Sequence, residues 1–192
     1  TQHQLTVLTS SIRVVHEARV MASDVIPTTF TLEGFGLSDR MFVKLEKEKC
    51  SAGGNNVDGG GATSLQNIDP SATTATLSYT IPSTGTVSMC LCVKNCEGEG
   101  EWVTQHQVTF VNVNSISPTT VALGVEFEMT LTHDHLNPGD RLRIVKDSCS
   151  NKTSLVQGVA ETTVSDDGIV KFTLEEYVQR AQVCLHVANG TD

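Results

Sequence analysis

Apolar and polar residues alternate in short, evenly spaced runs along the whole chain. Residues 25–32 put Phe30 and Leu32 on one face, residues 75–81 alternate in the same way, and residues 39–45 read as another strand. Residues 86–93 follow a Pro-Ser-Thr-Gly turn. In residues 102–111, His106, Val108 and Phe110 share one face and Gln105, Gln107 and Thr109 the other. A period of two is that of a half-buried strand, because successive side chains leave a strand on opposite sides. Residues 12–21, mixed apolar and charged, read as one further strand. Residues 51–61 are dominated by glycine and asparagine. Glycine loses the most backbone freedom on ordering, so this segment is expected to be a mobile surface loop.

The plan then repeats. Residues 125–131 parallel 27–32, and 137–145 parallel 38–43; each of these second strands follows a leucine (Leu37, Leu136) and precedes a Cys-Ser pair (Cys50-Ser51, Cys149-Ser150). Residues 168–174 parallel the strand at 75, and 182–189 parallel 89–95. An internal repeat of short strands predicts two β-sandwiches in tandem.

A second, shorter repeat crosses that plan. Residues 1–8, Thr-Gln-His-Gln-Leu-Thr-Val-Leu, return at 104–111 as Thr-Gln-His-Gln-Val-Thr-Phe-Val, an offset of 103 (1 to 104). The later copy reads as the last strand of the first domain. The earlier copy precedes any domain, and the second domain ends its pattern at residues 182–189 without a corresponding last strand. The chain therefore divides into a donor strand (1–10), a first domain (11–113) and a second domain (114–192).

The run Ile-Ser-Pro-Thr-Thr-Val-Ala-Leu-Gly at 116–124, then Met-Thr-Leu-Thr at 129–132, Leu136 and Gly-Asp-Arg-Leu-Arg-Ile-Val at 139–145 resembles immunoglobulin-like domains of the IPT/TIG kind. The resemblance covers the second domain and, more faintly, the first, where Ile-Arg-Val replaces Ile-x-Pro at 12–14. It implies an all-β fold of two tandem immunoglobulin-like sandwiches, the second lacking its own last strand, and says little about function.

Composition narrows the function. The net charge is −9 with no cluster of Lys or Arg, which argues against nucleic acid or an anionic membrane as partner. No apolar run approaches the length of a membrane-spanning helix. The chain has neither an initiator Met nor a signal-like segment, so it reads as a processed product or a fragment. An even count of six cysteines, with sequons at Asn151 and Asn189, points to the secretory route and an extracellular setting. The Ser/Thr runs at 71–74 and 117–120 are candidates for O-linked glycans. Superposing the repeats matches Cys50 with Cys149 and Cys90 with Cys184, so one bridge within each domain is expected, Cys50–Cys90 and Cys149–Cys184; a local Cys92–Cys96 bridge uses the remaining two. A metal site at Cys92 and Cys96 lacks a second ligand pair.

Chemistry-bearing residues find structural explanations. His133-Asp-His135 falls at a strand end and reads as an exposed polar loop; His3 and His106 repeat within one strand motif; Asp39 and Asp140, each before an arginine, read as turn caps or pairs. No catalytic triad, phosphate loop or carboxylate pair is recognisable, so neither an enzyme nor a cofactor is expected. The ends of the repeat suggest instead that His3, Leu5 and Val7 of one copy insert beside Val183, Leu185 and Val187 of the next, a donor-strand homopolymer. Two alternatives are a fragment of a longer cell-surface repeat protein and a carbohydrate-binding module. The single Trp102 and two tyrosines, Tyr79 and Tyr177, offer little aromatic surface for the latter.

Overall fold

A computed structural model describes residues 12–15, 18–51, 53–66, 71–93, 96, 102–149, 154–158 and 161–188. These are all-β, with no helix among them. The strands in order are β1 (Arg13–Val15), β2 (Arg19–Met21), β3 (Thr28–Glu33), β4 (Phe42–Glu46), β5 (Thr63–Ser64), β6 (Thr74–Tyr79), β7 (Gly85–Cys92), β8 (Trp102–Ser117), β9 (Glu126–Asp134), β10 (Arg141–Val145), β11 (Thr162–Thr163), β12 (Ile169–Thr173) and β13 (Gln182–His186). They form two three-stranded sheets, β1-β3-β6 and β11-β10-β13, and a seven-stranded sheet ordered β12-β9-β8-β7-β4-β5 with β2 pairing β8.

The chain divides into two compact units, Thr1–Ala18 with Ala22–Thr109 and Arg19–Met21 with Phe110–Asp192. The division falls inside β8, four residues before the junction read from the sequence at 113/114. The Ile-Ser-Pro signal does not interrupt the strand: β8 runs on through a bulge between Val113 and Ser115 and stops only at Pro118, which has no N–H to give to a ladder.

In the first unit, β3 and β6 bury Phe30, Leu32, Ala75, Leu77 and Tyr79, while β4 and β7 bury Val43, Leu45, Met89 and Leu91. The Tyr79 hydroxyl crosses from one sheet to donate to the Val43 carbonyl at 2.7 Å, and the Phe30 ring meets Tyr79 edge-on. Two layers with alternating inward residues are consistent with a β-sandwich. In the second unit Met129, Leu131, Val170 and Phe172 of β9 and β12 cluster with Leu142 and Ile144 of β10.

The register gives the repeat its correct alignment. Lys44 lies opposite Cys90 and Arg143 opposite Cys184, an offset of 99 along β4 and β10 (44 to 143). The bonds Met41 N to Ser38 O and Leu65 N to Met41 O recur as Asp140 N to Asn137 O and Val164 N to Asp140 O. Asp140 thus stands where the first unit has Met41, and the expected equivalence with Asp39, which is exposed, does not hold. The shared Asp-Arg pair misleads because Pro138-Gly139 occupy the two turn positions that Asp39-Arg40 hold in the first unit, so the pair at 140–141 falls two positions further along.

Two further expectations change. Residues 12–21 are two strands, because β1 pairs with β3 while β2 pairs with β8, and one uninterrupted strand cannot serve both sheets. The glycine-rich segment at 51–61 is fastened to β4: Asn56 bridges Glu46, Leu45 N donates to Gly60 O, and Val57 is buried at 3% exposure. Ser51 N donates to the buried Glu46 carboxylate, and Lys44 Nζ donates to the Ser51 carbonyl while lying 4.1 Å from the Trp102 ring centroid. The glycines permit this close approach: a Cβ on Gly60 would meet Val57 and Leu45.

Burial pushes the Tyr79 phenol up to about 12, against a weaker opposing hydrogen bond with Thr63. The neutral form is the one the fold holds, so its contribution is complete below pH 10 and is lost as pH rises toward 12. Tyr79→Phe is expected to lower stability by about 1–2 kcal/mol in urea denaturation at neutral pH and to flatten the alkaline limb of the stability profile between those values.

Candidate strand-acceptor edge and groove

In the first unit β7 is paired on both edges, by β4 and by β8. Its inward residues Met89 and Leu91 are 0% and 2% exposed. β13 is the matching strand of the second unit: Leu45 faces Met89 as Ile144 faces Val183, and Val43 faces Leu91 as Leu142 faces Leu185. Among the described residues β13 pairs with β10 alone.

The difference shows in the side chains. Val183 and Leu185 pack against the second unit's core yet stay partly exposed, and Val187 is buried. Leu174 is likewise half-buried, whereas Ile81, which takes the same backbone bond from Ser23 N that Leu174 takes from Gly124 N, is 1% exposed. Equivalent apolar positions are sealed in one unit and open in the other.

At the Gln182–Val183 end of β13 lies a groove of about 750 Å³. It is lined by Gln182 and Val183 of β13, by Thr119, Thr120, Val121 and Leu123, and by Ile116, Phe127, Met129, Ile144 and Leu174. Lys146 and Glu176, ion-paired at 2.7 Å, are among its polar lining residues. An apolar trough next to an unpaired strand edge offers both requirements of β-strand addition, backbone partners and pockets for alternate side chains.

The far end of β13 is held by a buried charge cluster within the second unit. Asp140, with no exposed surface, accepts from Arg19 at 2.7 and 2.9 Å, one guanidinium nitrogen to each carboxylate oxygen. It also accepts from Ala188 N and Asn137 N, both at 2.8 Å. Arg19 in turn donates to the carbonyls of His135 and Ala188. Burial works to raise the Asp140 pKa, but the Arg19 hydrogen bonds and charge and the two backbone N–H groups outweigh it and hold the carboxyl below its ordinary value. The Cys149–Cys184 bridge ties the middle of β13 to the segment after β10.

The proposed donor residues His3, Leu5 and Val7 and the sequons at Asn151 and Asn189 lie outside the described residues. The copy of the donor sequence is β8, in which Val108 and Phe110 are fully buried and His106 is half-buried. Bridges join Cys50 to Cys90, Cys92 to Cys96 and Cys149 to Cys184. His133 and Asp134 end β9 and His135 follows it, so the segment expected as an exposed loop is in part strand, with His133 half-buried and Asp134 accepting from Asn114 Nδ2 at 3.0 Å; among the described residues no three His, Cys, Asp or Glu side chains are grouped to hold a metal ion. No helix among the described residues is long and apolar enough to cross a membrane. Sequence reasoning missed Arg19, which reaches its partner across 121 residues. It also missed residues 119–123, whose run carries no strand period. Compared with models of known protein families and with curated proteins, the chain matches none.

Arg19→Ala is expected to leave Asp140 buried without its cation and to destabilise the second unit by about 3–5 kcal/mol, read by urea denaturation. The Asp140 contribution is complete above its ordinary pKa of 3.8 and is lost as pH falls through the lowered folded value. Arg19→Ala and Asp140→Asn should both flatten the acid limb of the stability profile.

Proposed function

We propose that this protein is the non-catalytic subunit of an extracellular filament, built from two tandem immunoglobulin-like sandwiches and polymerised by strand donation. Residues 1–8 of one copy insert beside β13 of the next, with His3, Leu5 and Val7 toward the groove and Val183, Leu185 and Val187 as the receiving edge. The single observation that carries the reading is the contrast between β7 and β13: the same strand of the repeat is covered by β8 in one unit and has no partner on that edge among the described residues of the other, and the first eight residues are a sequence copy of part of β8. Such a contact is heterologous, so it propagates into a ring or an open fibre.

An inserted strand offers roughly five to eight main-chain hydrogen bonds at about 1 kcal/mol each. Burial of Leu5 and Val7 adds about 3–5 kcal/mol. The three disulfides are compatible with an oxidising, extracellular setting. Glycans at Asn151 and Asn189 complete the reading; one at Asn189 has to point away from the incoming strand. Thr119 and Thr120 line the groove, so O-linked sugar there and strand insertion exclude one another.

Deletion of residues 1–9 is expected to leave a folded protein that no longer assembles, seen as loss of fibres by negative-stain microscopy and a monomer in sedimentation. Polymers that persist after the deletion refute the proposal. If the chain is instead a piece of a longer repeat array, the edge is filled by later residues of the same polypeptide, and the intact chain forms no fibres.

A further inference from the structure

We infer that the groove grips an inserted strand along both of its edges, with residues 120–123 forming a second wall opposite β13. The inference rests on the donor-strand reading and adds a half of the binding site that the β13 edge alone does not supply. Thr109 brings its hydroxyl within 2.9 Å of the Thr86 hydroxyl on β7, while its N–H leaves the other side of the strand to donate to the Ala18 carbonyl at 2.8 Å. At one residue, then, β8 has β7 on one edge and the chain at Ala18, leading into β2, on the other.

The counterpart of that second neighbour can be located from two fixed points. Val14 opposite Leu32 matches Ile116 opposite Leu131, an offset of 102 (14 to 116). The bond from Ser23 N to Ile81 O matches that from Gly124 N to Leu174 O, an offset of 101 (23 to 124). Between these points residues 18–21 map onto 120–123 to within one residue. That segment belongs to no strand, Leu123 is 53% exposed, and Thr120, Val121 and Leu123 line the groove together with Val183 of β13. The occupant is the amino-terminal strand of a second copy, since residues 1–8 repeat the sequence that fills the same position between β7 and β2.

The geometry assigns individual amides. Thr6 corresponds to Thr109, so its N–H faces the carbonyl of residue 119 or 120; those of Leu5 and Val7 point the opposite way, to β13, because successive N–H groups alternate along a strand. The test uses the full chain with its own donor disabled (Leu5→Asp and Val7→Asp) and synthetic peptides of residues 1–9. The unmodified peptide is expected to bind and to protect both residues 120–123 and 182–188 from amide hydrogen exchange. N-methylation at Thr6 should weaken binding about tenfold, the loss of one main-chain hydrogen bond with its partner left unpaired, and N-methylation at Val7 should do so independently. Full affinity of the Thr6-methylated peptide, with protection confined to 182–188, overturns the second wall and leaves donor-strand exchange standing. Failure of the unmodified peptide to bind overturns both.

Discussion

A strand has two edges and an apolar face, and all three must be covered if it lies over a core. Backbone N–H and C=O groups left bare lose the hydrogen bonds that offset their desolvation, and a bare apolar face stays in contact with water. β8 meets all of these demands in the first unit: it pairs with β7, takes a neighbour at Ala18, and buries Val108 and Phe110. The second unit repeats β3, β4, β6 and β7 as β9, β10, β12 and β13 but holds nothing in the position of β8 among the described residues. The half-buried state of Val183, Leu185 and Leu174 follows from that one difference.

The bare edge is nonetheless built. β13 is fixed along β10 by an antiparallel ladder from Gln182 to His186, bridged at Cys184, and anchored beyond its end where Ala188 gives its N–H to Asp140 and its carbonyl to Arg19. A strand held in this way presents its free amides in an extended conformation before any partner arrives. In the proposed insertion the partner strand would bear its own ordering entropy, about 1–2 kcal/mol per residue. Each additional row of main-chain bonds therefore weighs heavily in whether a strand of eight residues stays bound.

Much of this was legible in the residues. Period-two alternation located the principal strands, since Phe30, Leu32, Val108 and Phe110 must all face inward, and the doubled Cys-Ser marker led directly to Cys50–Cys90 and Cys149–Cys184. The short strands β5 and β11 escaped because two residues carry no period. The glycine-rich loop misled because glycine's entropy argues for freedom, whereas three backbone bonds and the buried Val57 decide for attachment. Asp140 was read as a turn residue; it does cap its turn through Asn137 N, but its charged partner is contributed from a distant part of the chain that no local pattern connects to it. Residues 119–123 carry no strand period, and their place on the groove wall shows only in the structure.

The second compact unit is not contiguous in sequence: it takes Arg19–Met21 from near the amino terminus and everything else from Phe110 onward. During vectorial synthesis on the ribosome, the guanidinium that neutralises Asp140 is made more than a hundred residues before the carboxylate it serves. A gene segment subcloned to begin at Phe110 would omit it and leave the second unit with an uncompensated interior anion. Limited proteolysis near residue 22 would sever the same unit without touching any of its other strands.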